Sequence, residues 1–319
     1  MKPAPFTLHR PASIPDAVRL LSTLENARIL AGGQTLMPML AMRYAFVDHL
    51  VDMNSIAGLD QISFDGEHLI VGALVRQREL EISPLTAQHA PIIAEALAQV
   101  GHVQTRHRGT FVGSVCNLDP ASEQPALASL LDATLVAVGP AGQRTIPFGD
   151  FALGFMTTAL APDEVVTEIR LRAWPPGHGF AFEEFARRRG DFAVVGAGVM
   201  VSTDRNAAIS RIAAVLCGVG GIPTRLDLSC LVGQRPGDDA VNGAAAIAGQ
   251  VDAIEDTSAS RAYRQHLART LVARALRRAL ERAHLGASPC DRRPSRRLDR
   301  ARQFQIRCEL RRRRRDGRL

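Results

Sequence analysis

Two glycine-rich segments, far apart in the chain, have the composition of anion-binding turns. The first, residues 31–35 (Ala-Gly-Gly-Gln-Thr), follows an apolar run from Arg28 to Ala31 that predicts a short strand. Glycine lets the main chain turn tightly, and it lets the N–H groups approach an anion without a Cβ in the way. Gln34 and Thr35 add side-chain donors. An ordinary strand-to-helix turn explains this first segment about equally well.

The second segment, residues 106–114 (Arg-His-Arg-Gly-Thr-Phe-Val-Gly-Ser), combines two arginines, two glycines and two hydroxyls. This composition favours a loop that wraps a pyrophosphate. It is not a Walker loop, because the Gly-Lys-Ser/Thr ending is missing, and its glycine spacing is not that of a Rossmann fingerprint. Asp119 follows, and its carboxylate can accept hydrogen bonds from ribityl or ribose hydroxyls. Asp119 before Pro120 is also typical of a helix start, and both roles can hold together.

The elements that must position these segments follow from periodicity and turn residues. We expect helices at 15–24 (with Ser13 as N-cap), 37–43, 92–100 and 263–283. The Asp65-Gly66 pair and residues 139–142 predict two hairpins, 60–64 with 68–72 and 134–138 with 144–146. Further strands are expected at 50–53, 165–172, 194–202 and 209–218, with an interdomain linker at 174–177.

Composition limits the classes of function. Five cysteines are scattered without a Cys-x-x-Cys pair, which argues against a zinc site, an iron–sulfur cluster or a disulfide framework on this chain. We therefore expect no metal site here and a reducing, cytoplasmic location. There is no signal peptide at the start and no apolar run of membrane-spanning length, so no transmembrane segment is expected.

The net charge of +7 is concentrated at the end of the chain. Thirteen arginines and four acidic residues lie between Leu285 and Leu319, so the rest of the chain is close to neutral. Arg311 to Arg315 could bind nucleic acid or acidic lipid. The loss of periodicity favours instead a disordered basic tail over 285–319, which a shift of reading frame would explain. A nucleic-acid-binding function does not fit the near-neutral body and its scarce aromatic residues, so we expect no nucleic-acid partner.

Taken in order, the two glycine segments and Asp119 to Glu123 resemble the FAD-binding medium subunit of molybdenum hydroxylases. That family includes the medium subunit of carbon monoxide dehydrogenase and the flavin subunit of xanthine dehydrogenase. Matching motifs continue in the same order over about residues 4 to 283, at 157–164, 185–193, 217–223 and 263–269. Such a collinear series is far more specific than one glycine pair.

The resemblance implies an α+β fold: a two-lobed FAD-binding domain of the vanillyl-alcohol-oxidase-like (PCMH) type and a C-terminal α+β domain. The expected boundaries are 1–57 for lobe 1, 58–174 for lobe 2 and 178–284 for the C-terminal domain. The implied FAD-binding residues are Ala31, Gly32, Gly33, Gln34, Thr35, Leu36, Thr110, Phe111, Val112, Gly113, Ser114, Asp119, Leu160, Asp191 and Phe192. Residues 31–35 and 110–114 would hold the diphosphate. Asp119 would lie on the ribityl or adenosine side, and Leu160, Asp191 and Phe192 would lie near the isoalloxazine ring.

The same resemblance implies partners and a role. A small subunit would carry [2Fe-2S] clusters and a large subunit the molybdenum cofactor, in a dimer of heterotrimers. Electrons would pass from the clusters through FAD on this chain to an external acceptor, so no residue here is expected to act as a general acid or base. A self-sufficient FAD oxidase or dehydrogenase with a related fold is the alternative. The sequence does not indicate the substrate or the electron acceptor.

Two departures from the family pattern bear on the site. Val112 stands where relatives usually have the first glycine of Thr-x-Gly-Gly-Ser, and a β-branched residue would be strained there if the position required a positive φ. Many relatives have a lysine shortly before the Arg187-Arg188 pair, in the region where this chain has Glu183 and Glu184. The electrostatic environment of the flavin is therefore expected to differ.

Overall fold

The computed structural model describes residues 2–286, and these form an α+β fold, as predicted. The basic tail expected from residue 285 lies outside the described residues from 287 onward. The last helix continues to Gly286, two residues past the predicted end of the C-terminal domain.

The first sheet is parallel and carries the first glycine segment at its end. Its strands pair in the order β1-β3-β2. They are β1 (Thr7–His9), β2 (Ala27–Leu30) and β3 (His49–Asp52). Two helices connect them, α1 (Ile14–Thr23) and α2 (Leu36–Ala41). Ser13 caps α1 as predicted, because its side chain accepts a hydrogen bond from the Asp16 amide.

The second sheet is antiparallel, with the order β4-β5-β10-β6-β7. Its strands are β4 (Ile62–Phe64), β5 (His68–Gly72), β6 (Thr134–Gly139), β7 (Gly142–Pro147) and β10 (Val165–Arg172). Both predicted hairpins are confirmed, and the positive φ at Gly66 and Gly142 explains the glycine at each turn.

Short helices lie between β5 and β10, together with a two-stranded hairpin. They are α3 (Gln77–Ile82), α4 (Pro84–His89), α5 (Pro91–Leu97), α6 (Val103–Arg108), α7 (Phe111–Asn117), α8 (Glu123–Leu130) and α9 (Phe148–Phe151), with β8 (Ala152–Gly154) and β9 (Thr157–Thr158). The prediction of a loop over residues 106–114 is wrong. That stretch is the end of α6, a turn at Gly109 and Thr110, and the start of α7.

The third sheet is antiparallel, in sequential order. It contains β11 (Gly179–Phe185), β12 (Val195–Thr203), β13 (Ile209–Cys217) and β14 (Thr224–Leu226), and it is followed by α10 (Asp238–Ala248) and α11 (Arg261–Gly286). Helix α11 packs closely on this sheet, because a Cβ at Gly179 would lie 1.7 Å from the Ala279 carbonyl oxygen. Glycine is therefore required at that contact.

The third sheet separates two apolar cores. On one face, Phe182, Met200 and Val215 pack into the same core as the second sheet and helices α5, α7 and α8. On the other face, Val199 and Leu216 pack with α10 and α11. Residues 174–177 connect β10 to β11, but the Trp174 side chain is buried in the first core. The cavity described next lies between the first sheet, the second sheet and the loop before β12.

Candidate functional site

The two glycine segments contact each other through their backbones. The first begins where β2 ends, and the second is the turn between α6 and α7. A Cβ added to Gly32 would lie 2.4 Å from the Arg108 carbonyl oxygen and 2.7 Å from the Gly109 Cα. Only glycine permits this approach, so two segments that are distant in sequence form one structure.

The first segment presents a row of unbonded main-chain donors. Within residues 2–286, the amides of residues 32–36 donate no hydrogen bond. Gly33 has a φ of 70°, which bends the chain into α2, and the Met37 amide is the first to be bonded again, to the Gly33 carbonyl oxygen at 3.1 Å. Successive free amides beside a cavity are the kind of main-chain donors that anions bind in proteins.

The second segment is organised by the cap of α7. The Thr110 side-chain oxygen accepts a hydrogen bond from the Gly113 amide at 3.1 Å. A Cβ at Gly113 would lie 2.5 Å from that oxygen, so a larger residue there would have to displace the capping hydroxyl. Val112 is a buried residue of α7 with helical geometry, and it is absent from the positive-φ residues of the described chain. The replacement of a glycine by valine there carries no backbone strain.

Arg106 does not take part in the anion-binding turn, contrary to the expectation that both arginines wrap a pyrophosphate. Its guanidinium donates to Glu81 Oε2 at 2.8 Å and to the Val100 carbonyl oxygen at 2.8 Å. The side chain is 10% exposed. Arg106 therefore joins α6 to α3 and its guanidinium is already bonded within the protein.

A polar network holds both segments in place. Asn54 donates to the Ala31 carbonyl oxygen at 3.0 Å, and Arg76 donates to Asn54 Oδ1 at 2.6 Å. The same guanidinium donates to the Arg108 carbonyl oxygen at 2.9 Å. The sequence analysis missed Asn54 and Arg76, because neither belongs to a glycine-rich motif and only the fold brings them to the turns.

A cavity of about 880 Å³ opens beside the two segments, within the usual range of cofactor sites, about 300–1,000 Å³. Most of the predicted site residues line it: Ala31, Gly32, Gly33, Gln34, Thr35, Leu36, Thr110, Val112, Gly113, Ser114, Leu160, Asp191 and Phe192. Segments from Ala31 to Phe192, which are far apart in the sequence, thus meet at one site.

Two predicted residues do not line this cavity. The Phe111 side chain is fully buried in the first core, and its amide donates to the Val75 carbonyl oxygen. Asp119 faces a neighbouring pocket of about 510 Å³, where Asp191 and Phe192 also lie. Its carboxylate accepts a hydrogen bond from the Ala121 amide at 2.9 Å, and burial raises its pKa. The N-cap of α8 is Ser122, so the predicted helix start at Asp119 is wrong.

Three cavity residues were missed by the sequence analysis. Gln77, Glu123 and Gln124 are each almost wholly buried and line the cavity. Gln124 accepts a hydrogen bond from Ser114 Oγ at 2.9 Å, but among residues 2–286 its Nε2 has no partner, nor has Gln77 Oε1. Buried amide groups without partners point to a polar ligand. Glu123 ends the motif that contains Asp119, so its carboxylate could have been considered from the sequence.

The rim of the cavity is formed by the loop that precedes β12. Gly190 has a φ of 88°, and a Cβ there would lie 3.2 Å from the His102 ring. Next in the loop are Asp191 and Phe192, and the Phe192 ring is 60% exposed at the cavity edge. An exposed aromatic ring beside a cavity can stack on a planar ligand.

Within residues 2–286, no group of three or more His, Cys, Asp or Glu side chains could hold a metal ion. In the same part of the chain, every helix is too short or too polar to cross a membrane.

Comparison with known proteins assigns both halves of the chain. Residues 4–174 match the family described as the FAD binding domain in molybdopterin dehydrogenase, and residues 180–279 match the CO dehydrogenase flavoprotein C-terminal domain. The β subunit of caffeine dehydrogenase from Pseudomonas sp. (strain CBB1) is 36% identical, covering 88% of this chain and 97% of that protein. The medium chain of carbon monoxide dehydrogenase from Hydrogenophaga pseudoflava is 35% identical, covering 88% of this chain and 99% of that protein.

Solved structures agree with the sequence matches. A chain of the carbon monoxide dehydrogenase from Hydrogenophaga pseudoflava superposes with a TM-score of 0.85 at 35% identity, covering 88% of this chain and 99% of that chain. Quinoline 2-oxidoreductase from Pseudomonas putida 86 superposes with a TM-score of 0.84 at 31% identity, covering 89% of this chain and 99% of that chain. The chain belongs to the FAD-binding medium subunits of molybdenum-hydroxylase oxidoreductases, the family of the carbon monoxide dehydrogenase medium chain.

Proposed function

We propose that FAD occupies the 880 Å³ cavity, with its diphosphate against the amides of residues 32–36 and the turn at Thr110 to Ser114. The observation that carries this proposal is the row of five free amides, held against the second turn by Gly32. A diphosphate needs several hydrogen-bond donors, and the unbonded amides of these cavity-lining residues would supply them. Gln77 and Gln124 would meet polar atoms of the same cofactor with their free amide atoms.

Bound FAD would supply electron-transfer chemistry that side chains lack. The residues of this chain would bind it, orient it and control solvent access. Leu160 and Asp191 line the cavity, and Phe192 could cover one face of the ring by offset stacking. We assign no general acid or base for hydroxylation to this chain.

The proposed role is electron relay within a larger complex. A small subunit with [2Fe-2S] clusters would deliver electrons to the flavin, and an external acceptor would remove them. The molybdenum cofactor and the substrate would reside on a large subunit, in a dimer of heterotrimers located in the cytoplasm. The scattered cysteines support this division, since iron–sulfur clusters need grouped thiolates.

The FAD site is tested by titrating the purified chain with FAD and following the visible flavin spectrum. Gly32→Ala should weaken FAD binding by at least about tenfold, because the added methyl group meets main-chain atoms and pushes the two turns apart. Gly149→Ala is the matched control, since a Cβ there meets nothing within 4 Å. A wild-type chain that retains no flavin after unbound FAD is removed, or equal affinities in both variants, would contradict the proposal.

The relay is tested by co-expression with an iron–sulfur subunit and a molybdenum subunit of the same family. The complex should reduce the flavin when substrate is added, whereas the isolated chain should not. Flavin reduction by substrate in the isolated chain would instead support the self-sufficient oxidase or dehydrogenase.

A further inference from the structure

Glu123 and Glu184 bring two carboxyl groups together beside the cavity. Glu123 is the first residue of α8, is 4% exposed and lines the cavity. Glu184 is a half-buried residue of β11, two positions from Phe182 and so on the face of the third sheet that packs against α8. Burial and the charge of Glu184 together raise the pKa of Glu123. The pair sits where α8 packs against the third sheet.

No cation neutralises these two carboxyl groups. Among residues 2–286, neither of them forms an ion pair with Arg, Lys or His, whereas the adjacent Glu183 pairs with Arg278. The other titratable groups that face the pair are Asp119, before α8, and Cys217, at the end of β13. An ionised Asp119 adds negative charge. Cys217 is a buried thiol whose pKa is raised by burial and by the two carboxylates.

The hydrogen bonding of the pair is incomplete when both groups are ionised. Glu184 Oε2 is buried and, within the described residues, receives no hydrogen bond. Two carboxylates cannot bond to each other, because neither has a hydrogen to donate. A protonated Glu123 supplies the missing donor, and it halves the buried charge.

We propose that Glu123 and Glu184 share one proton near neutral pH, and that this pair is a proton-holding wall of the cofactor cavity. Glu123 carries the proton and donates to Glu184, which remains ionised. The pKa of Glu123 lies well above its ordinary range because of burial and the nearby Glu184 charge. Loss of the proton would put a second negative charge beside the site proposed for an anionic cofactor.

The unpartnered Gln124 Nε2 supports a ligand at this wall. Gln124 follows Glu123 on α8, is 1% exposed and lines the same cavity. The Gln124 amide, a free hydrogen-bond donor, and the proposed protonated carboxyl group of Glu123 thus belong to adjacent residues that both line the cavity. The linkage to cofactor binding rests on the proposed function, but the shared proton does not.

Infrared spectroscopy of the full chain, without added cofactor, tests the shared proton. A protonated carboxylic acid has a carbonyl stretch distinct from that of a carboxylate and shifts in D₂O. Wild type should keep this band at pH 8, where solvated carboxyl groups are ionised. Glu123→Gln should lose it, and the control Glu183→Gln, on the same strand as Glu184 but ion-paired, should keep it. Absence of the band in wild type, or its survival in Glu123→Gln, would overturn the proposal, and the wild-type result does not depend on any variant folding.

FAD titrations across pH test the linkage. The dissociation constant of wild type should rise once the pH exceeds the pKa of the pair, with a slope of up to about tenfold per pH unit for one linked proton. Glu184→Gln should flatten this rise. A chain that shows the band but never binds FAD would refute the proposed function and leave the shared proton intact. Binding that is independent of pH in wild type would refute the linkage.

Discussion

At the scale of single residues, main-chain donors and two supporting side chains define the site. Arg76 is central because its guanidinium reaches the second turn directly and the first through Asn54. Charge-assisted hydrogen bonds of this kind are stronger than neutral ones and geometrically specific. Arg76 therefore keeps the two turns at a fixed separation.

Arg76→Ala should weaken FAD binding by about tenfold, because the turns lose their common anchor. The FAD dissociation constant measures this loss. Arg170→Ala is the control, since Arg170 pairs only with its neighbour Glu168, away from the cavity. Unchanged affinity in a folded Arg76→Ala variant would show that the turns hold their positions without the network.

The Glu123–Glu184 pair also predicts a dependence of stability on pH. The folded pair holds a proton that the unfolded chain releases above the ordinary glutamate pKa of 4.5. The free energy of unfolding should therefore fall as pH rises from about 4.5 to the raised pKa of the folded pair, and level off above it.

Glu184→Gln should reduce this fall, so the variant gains stability relative to wild type as the medium becomes alkaline. Urea unfolding at a series of pH values measures the effect. Glu183→Gln serves as the control. A constant difference between wild type and Glu184→Gln at every pH would contradict the raised pKa.

At the scale of elements, α3, α6 and α7 place the second turn. Arg106 joins α6 to α3 through Glu81, and Val75 to Gln77 bond to the main chain of Gly109 and Phe111. The turn is thus held by main-chain hydrogen bonds to Val75 and Gln77 and, through Arg106, by an ion pair to α3. The role of Arg106 is therefore structural, since it holds α6 against α3.

Arg106→Ala should lower the free energy of unfolding by about 3 kcal/mol, because it breaks a buried ion pair. The value is expected at the lower end of the usual range, since Glu81 keeps its partner Arg78. Denaturant unfolding measures the loss, and Arg19→Ala, with its exposed partner Asp16, should change stability little. The folded variant should bind FAD as wild type does. A large loss of FAD affinity would instead indicate that Arg106 contributes to binding the diphosphate.

Local sequence predicted the elements well where local chemistry determines them. The cap at Ser13, the turns at Gly66 and Gly142 and the amphipathic helix α11 all follow from nearby residues. The contact of Gly32 with Arg108 and Gly109 does not, because it joins segments that are distant in the chain. Likewise, local sequence does not show that Glu123 and not Asp119 lines the cavity, because this depends on the direction of the chain after α7 ends. The ordered motifs nevertheless predicted the family and most of the cavity.

At the scale of the whole molecule, one apolar core joins the second and third sheets. Phe182 and Met200 from the third sheet belong to the same core as Leu69 and Ile169 from the second. Neither part buries this surface alone, so residues 2–286 should unfold in a single cooperative transition. Fluorescence of the buried Trp174 and circular dichroism should give coincident curves; two separated transitions would show that the parts fold independently.

A crystal structure of the chain with FAD would locate the cofactor most directly. Diphosphate oxygens should accept hydrogen bonds from the amides of residues 32–36 and from the turn at Thr110 to Ser114, with Arg106 still bonded to Glu81. A diphosphate bound elsewhere, with the amides of residues 32–36 still unbonded, would show that the two glycine segments are not the FAD site.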